Sequence, residues 1–189
     1  MKIYLASESP RRRALLKKIG VEFERIRPKY QEIMHKGDTP EKYIWNNAVQ
    51  KAKSVIDEID EGIIIAADTI VVKDREILGK PKDKNDAQRM LKTLSGTSHY
   101  VYTALVVLEK FSNKMEVKIE KTKVEMRKLE EDEILRYINS GEPLDAAGGY
   151  KIQEQGAKFI KRIEGCYYNV VGLPIASLVE MLKKFNIKI

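Results

Sequence analysis

Two arginines stand where a short apolar strand gives way to a helix. The run Ile3-Tyr4-Leu5-Ala6 is followed by Ser7-Glu8-Ser9-Pro10-Arg11-Arg12, and Ala14, Leu15, Leu16 and Ile19 then recur at helical spacing. Ser9 suits an N-cap and Pro10 the first helical position, where a missing N–H costs nothing. A helix N-terminus presents unpaired N–H groups and the positive end of the dipole, so Arg11 and Arg12 beside it make a place for a phosphate or polyphosphate. A solvated basic turn and an Arg-rich nucleic-acid contact are competing readings of the same stretch.

Asp68 is the second chemical feature. It interrupts Ile63-Ile64-Ile65-Ala66-Ala67-Asp68-Thr69-Ile70-Val71-Val72, a run apolar on both alternations, as expected of a central strand covered on both faces. A carboxylate there is costly to bury unless a cation, a metal or hydrogen-bond donors hold it. It is either a structural Asp accepting backbone N–H bonds, or a metal ligand or general base. Lys51 lies seven residues after Ile44, on the apolar stripe of a helix. Its ammonium either snorkels to water or, turned into a cleft, holds a phosphate.

Leu78-Gly79-Lys80-Pro81 places another lysine on a turn, without the spacing of a P-loop, so Walker-type ATPase chemistry has no support. Gln153 follows Asp145-Ala146-Ala147-Gly148-Gly149-Tyr150 in an extended Tyr-Lys-Ile-Gln; its amide can read the edge of a base or simply face water. Trp45, Tyr167 and Tyr168 can stack a base or serve as packing or rim aromatics, the commoner role of isolated rings, and His99 reads as structural. Cys166 has no histidine partner in sequence, which argues against thiol catalysis.

The elements that must position these residues alternate between strand and helix. Asp38-Thr39-Pro40-Glu41 opens a helix from Pro40 to about Asp57, with Tyr43, Ile44, Ala48, Ala52 and Val55 as its apolar face. Asp83 caps another, where Ala87, Met90, Leu91 and Leu94 share a face and Gly96 terminates it. Val101 to Leu108 and Lys114 to Arg127 read as a hairpin, Glu130 to Ser140 as a helix ending at Gly141, and Leu173 to Phe185 as a final amphipathic helix. This order predicts an α/β fold with a mixed sheet rather than a purely parallel one.

The 189 residues suffice for one domain, or two small lobes sharing a cleft. Lys and Arg total 35 against 28 acidic residues, a net charge of +7 that favours anionic partners. The alternation of Lys with Glu and Ile, as in Lys118-Ile119-Glu120-Lys121, suits solvated faces and a heat-adapted source. A single cysteine excludes an intrachain disulfide and a thiolate cluster. His35 and His99 lack metal-site spacing, so any metal should be a hard ion on oxygen ligands. The chain opens on a strand rather than a leader and has no run able to span a bilayer, which predicts a soluble cytoplasmic protein with no membrane partner.

Taken together the motifs resemble the Maf family of nucleotide pyrophosphatases. The resemblance runs through Ser7-Glu8-Ser9-Pro10-Arg11-Arg12, Lys51-Ala52, Ala67-Asp68-Thr69, Gly79-Lys80-Pro81, Leu94-Ser95-Gly96, Gly141-Glu142-Pro143, Ala147-Gly148-Gly149-Tyr150 with Ile152-Gln153, and Asn169-Val170-Val171-Gly172-Leu173-Pro174. It implies an ITPase-like fold, a strongly twisted mixed sheet with flanking helices around a central cleft, spanning residues 1–189 as a single domain. It further implies hydrolysis of a nucleoside triphosphate to the monophosphate and pyrophosphate with a divalent cation, Mg²⁺ or Mn²⁺. Asp68 would activate water, Glu32 and Asp68 would hold the metal, and Ser7, Arg12, Lys51 and Lys80 would engage the triphosphate. In the family, positions matching Arg11, Thr69 and Gln153 separate a dTTP and UTP branch from one acting on 7-methyl-GTP, and this chain carries the pyrimidine set. It departs from the family at Glu154-Gln155, where Gly is common, and at Ala146, which replaces a frequent Lys. A homodimer fits the resemblance. A purine-type pyrophosphatase is the nearest alternative. A non-enzymatic nucleic-acid-binding or division-regulating protein is the alternative from another class, and it leaves Asp68 and Lys51 unexplained.

Overall fold

The computed structural model describes residues 1–33 and 37–189, so His35 lies outside the described residues. Among the described residues there are seven strands: β1 (Ile3–Ala6), β2 (Glu24–Ile26), β3 (Ile63–Lys73), β4 (Glu76–Leu78), β5 (Ser98–Glu109), β6 (Met115–Met126) and β7 (Ile160–Glu164). The helices are α1 (Pro10–Lys18), α2 (Pro40–Lys53), α3 (Lys84–Leu94), α4 (Glu131–Asn139), α5 (Tyr167–Val171) and α6 (Ile175–Lys183). The sheet runs in the order β2-β1-β3-β5-β6-β7, with β4 added to β3. β1 is parallel to β2 and β3, whereas β4 is antiparallel to β3 and β7 to β6. The sheet is therefore mixed, as the element order predicts. No helix among the described residues is long and apolar enough to cross a membrane.

The chain forms two compact units. The first comprises Met1–Asp68, Thr103–Glu120 and Gly172–Ile189. Here β1 lies against β3 in the register Ile3↔Ile63 to Ala6↔Ala66. Leu5, Ala6 and the whole of Ile63 to Ala67 are fully covered. α2 adds Tyr43, Ile44, Ala48 and Ala52, and each large aliphatic buried in this way contributes about 1.5–3 kcal/mol. Because β1 and β3 are parallel, their carboxyl ends share one edge, and the turn from Ser7 to Arg12 leaves the sheet beside Asp68. Ligands of open α/β sheets bind at such carboxyl ends.

The second unit comprises Thr69–Tyr102 and Lys121–Val171. α3 buries Ala87, Met90, Leu91 and Leu94, the face its spacing predicts, and α4 buries Ile134, Tyr137 and Ile138. Gly148 has φ +69° and lies so near Val71 that a Cβ would come within 2.8 Å of its Cγ2, so the Gly148-Gly149 pair does bring backbone against a neighbour.

Some boundaries differ from the sequence pattern. α2 stops at Lys53 rather than near Asp57, because the Ser54 hydroxyl donates to the Lys51 carbonyl and caps the helix; a short 3-10 turn, Ile56–Glu58, follows. The C-terminal helix starts at Ile175, after Pro174 rather than at Leu173, since proline disfavours helical backbone in the residue before it. Residues 152–154 form a turn instead of continuing an extended segment, and a 3-10 helix, Gln155–Phe159, succeeds it.

His99 is structural, as its place before an apolar strand suggests. It is buried, its Nε2 lies 2.7 Å from the Tyr150 hydroxyl, and its Nδ1 is covered without a hydrogen-bond partner. Burial, helped by Lys73, holds its pKa down at about 4. An unfolded chain takes up this proton near 6.5, so His99 stabilises the fold above that pH and the benefit is lost as pH falls toward 4, by up to about 3 kcal/mol. Thermal melts from pH 7 to 4.5 should fall more steeply for the wild type than for His99→Gln; parallel curves would exclude His99 as the source.

Candidate active site

Ser9 caps α1 with its hydroxyl, accepting the Arg12 N–H at 3.5 Å, and Pro10 occupies the first turn, as read from the sequence. Arg12 is buried: its Nε donates to the Gly172 carbonyl at 2.8 Å and its Nη1 to Ser7 Oγ at 3.3 Å, while Ser7 Oγ also accepts the Ser9 N–H at 3.2 Å. The guanidinium is therefore held rigidly at the carboxyl end of β1. Arg11, half-buried, precedes it on α1.

Lys51 does not snorkel to bulk water. Its Nζ reaches Asp68 Oδ1 at 2.6 Å and Glu32 Oε1 at 2.5 Å, and its side chain is only 13% exposed. Asp68 is 5% exposed, and its Oδ2 is buried with no hydrogen-bond partner among the described residues. The compensating group is thus an ammonium, not the set of backbone N–H donors that a structural Asp would use. Burial pushes the Asp68 carboxyl above the usual carboxylate range; Lys51 opposes this most strongly, Glu32 adds to it and Arg12 opposes it weakly. Arg12, Lys51, Glu32 and Asp68 therefore share one electrostatic neighbourhood inside the first unit.

Sequence reasoning missed the residues that hold Glu32 there. Tyr30 donates its hydroxyl to Asn47 Oδ1 at 3.2 Å, and the Lys29 N–H donates to Ser54 Oγ at 3.1 Å, so the segment bearing Glu32 is laid along α2. Asn47 is fully buried one helical turn before Lys51. That i, i+4 spacing of two polar residues within a buried face was the available signal.

Thr69, Lys80 and Gln153 belong to the second unit. Thr69 follows Asp68 on β3 and by strand alternation points to the opposite face. Lys80 pairs with Asp145 at 2.7 Å, and the Gly79 carbonyl accepts the Gly148 N–H at 3.0 Å, so the two loops are tied together. Gln153 is half-buried, and its Nε2 donates to Glu154 Oε1 at 3.2 Å. Trp45 and Tyr167 are each 40% exposed rim aromatics, and Cys166 is a free, half-buried thiol.

The profile of the Maf-like protein family matches residues 2–185. The chain belongs to the Maf-like family. A curated dTTP/UTP pyrophosphatase of Pelotomaculum thermopropionicum is 47% identical over 97% of this Maf-like chain and 96% of its own. Another, from Carboxydothermus hydrogenoformans, is 48% identical over 98% of this chain and 100% of its own. Among solved structures, the Staphylococcus aureus Ham1 protein aligns over 67% of this chain and 72% of its own with a TM-score of 0.44 and 13% identity, too distant to decide fold or function.

Proposed function

We propose that this protein hydrolyses dTTP and UTP to the nucleoside monophosphate and pyrophosphate. The observation that carries the reading is Asp68: a buried carboxylate with one oxygen on Lys51 and the other unengaged, beside Glu32 and the anchored Arg12. The names of the two relatives and the Arg11, Thr69 and Gln153 set support the substrate.

The donor set fits a hard divalent cation. Asp68 and Glu32 offer carboxylate oxygens, and the buried, unpartnered Oδ2 is an acceptor seeking a positive partner. Mg²⁺ is commonly held by one or two carboxylates plus substrate phosphates, a number that Asp68 and Glu32 can supply. Bound there, such an ion supplies charge neutralisation to the phosphates.

The protein's own residues do the rest. Arg12 and Ser7 orient the phosphates at the start of α1, and Lys51 adds positive charge. Water attacks the α-phosphorus while Asp68 accepts its proton. A new P–O bond forms, the bond from the α-phosphorus to the α,β-bridging oxygen breaks, and pyrophosphate departs with that oxygen; Asp68 then returns the proton to solvent. Lys80 is assigned to the phosphates, and Arg11, Thr69 and Gln153 to the base. The test is a panel of nucleoside triphosphates with direct detection of pyrophosphate, with and without Mg²⁺ or Mn²⁺. Metal-dependent release from dTTP and UTP ahead of purine triphosphates is expected; 7-methyl-GTP leading the panel would overturn the substrate, and no release at all would overturn the activity.

A further inference from the structure

The loop that carries Gln153 is fastened on both sides to one tyrosine and one carboxylate. Tyr137, on the buried face of α4, donates its hydroxyl to Glu142 Oε1 at 2.7 Å and accepts the Lys151 N–H at 3.0 Å. Glu142 Oε1 also accepts the Gly156 N–H, and its Oε2 the Gln155 N–H, each at 3.2 Å. The backbone is thus pinned two residues before Gln153 and again two and three residues after it. Gly156 closes the loop: a Cβ there would stand 2.6 Å from the Lys151 carbonyl oxygen and 2.9 Å from the Tyr137 hydroxyl, so the two ends pack backbone to backbone.

The hub itself is rigid. The Tyr137 ring is 1% exposed and stands edge-on to Phe159 at 4.9 Å. Gly141, at φ +77°, turns the chain straight from α4 into Glu142, so one helix end positions both hydroxyl and carboxylate. Bonds from N–H groups to an ionised carboxylate are among the strong ones, and three donors converge on this one.

We propose that Tyr137 and Glu142 are a positioning pair that sets base selectivity by fixing the Gln153 loop, an inference that rests on Gln153 reading the base. The pair touches no reacting atom; it removes the loop's freedom before substrate arrives, so that the Gln153 amide meets a base edge without an ordering cost. Glu142→Gln puts an NH₂ donor where one of the carboxylate oxygens accepts N–H groups, which breaks the clasp on one side of the loop while preserving side-chain volume. Tyr137→Phe keeps the ring against Phe159 and deletes the hydroxyl that joins both sides.

The experiment measures kcat/KM for UTP and GTP, and the affinity for inorganic tripolyphosphate, which has no base, in the wild type, Glu142→Gln, Tyr137→Phe and Gln153→Ala, each checked for folding by thermal melt. Both clasp variants should lose about tenfold in the UTP to GTP ratio, through the favoured substrate, while tripolyphosphate affinity stays within about twofold. Glu142→Gln combined with Gln153→Ala should discriminate no worse than Gln153→Ala alone. If Gln153→Ala lowers the ratio and the clasp variants do not, the inference falls and the base-reading role stands. If Gln153→Ala leaves the ratio unchanged, the base-reading role itself falls. Additive losses in the double variant, or tripolyphosphate affinity falling in step with the UTP rate, would make the clasp merely structural. Should Glu142→Gln fail to fold, Tyr137→Phe decides.

Discussion

Replacing Asp68 by Asn should lower kcat for triphosphate hydrolysis by about 10²–10⁴-fold and leave nucleotide affinity within a few-fold. The substitution is nearly isosteric in a site that is 5% exposed, so packing on β3 is preserved and the amide oxygen can still accept the Lys51 ammonium. What disappears is the carboxylate's capacity to take up a proton, since a neutral amide offers no such base. Since the base must be ionised to act and burial raises its proton affinity, activity in the wild type should decline with acidification above the ordinary carboxylate range. The residual rate of the Asn variant should lack that acid limb. Turnover within tenfold of wild type would remove Asp68 from the proton-transfer step. Turnover restored by saturating Mg²⁺ would reduce Asp68 to a metal ligand.

The strand that carries Asp68 was legible because burial on both faces writes itself as a continuous apolar run, and a lone carboxylate in such a run has to be answered by something. The Ser9-Pro10 start of α1 was legible for an equally local reason, since capping depends on residues within one turn. What answers Asp68 was not legible. Lys51 lies 17 residues away in sequence, and its placement on an apolar stripe fits a snorkelling side chain as well as a buried ion pair. The short strands β2, β4 and β7 escaped the pattern because three to five residues carry too little periodicity, and their pairing is decided by partners distant in the chain. The Tyr137 and Glu142 clasp is of the same kind. Glu142 looks like an ordinary loop glutamate until the fold delivers the N–H groups of Gln155 and Gly156 to it.

Lys51→Met is the substitution expected to cost the most stability. Methionine matches the aliphatic stem of lysine and leaves α2 well packed, but it strips the ammonium from between two carboxylates, one of them almost wholly buried. Removing one partner of a buried ion pair costs about 3–5 kcal/mol, because the other is left as an uncompensated charge. For a chain of this size that corresponds to a fall in Tm on the order of 10 °C. The loss should depend on pH in a definite sense. Without Lys51 the Asp68 carboxyl binds its proton more tightly in the folded protein than in the unfolded chain, so the variant loses stability as pH rises through that raised pKa and recovers it on acidification. Neutralising the stranded charge by mutation should act like acid: Lys51→Met with Asp68→Asn should melt above Lys51→Met alone at neutral pH. Equal melting temperatures for the single and double variants would mean that the pair is not coupled and that Asp68 is held by something other than Lys51. A double variant that regains its melting temperature yet stays inactive would show that the pair serves turnover as well as the stability of the folded chain.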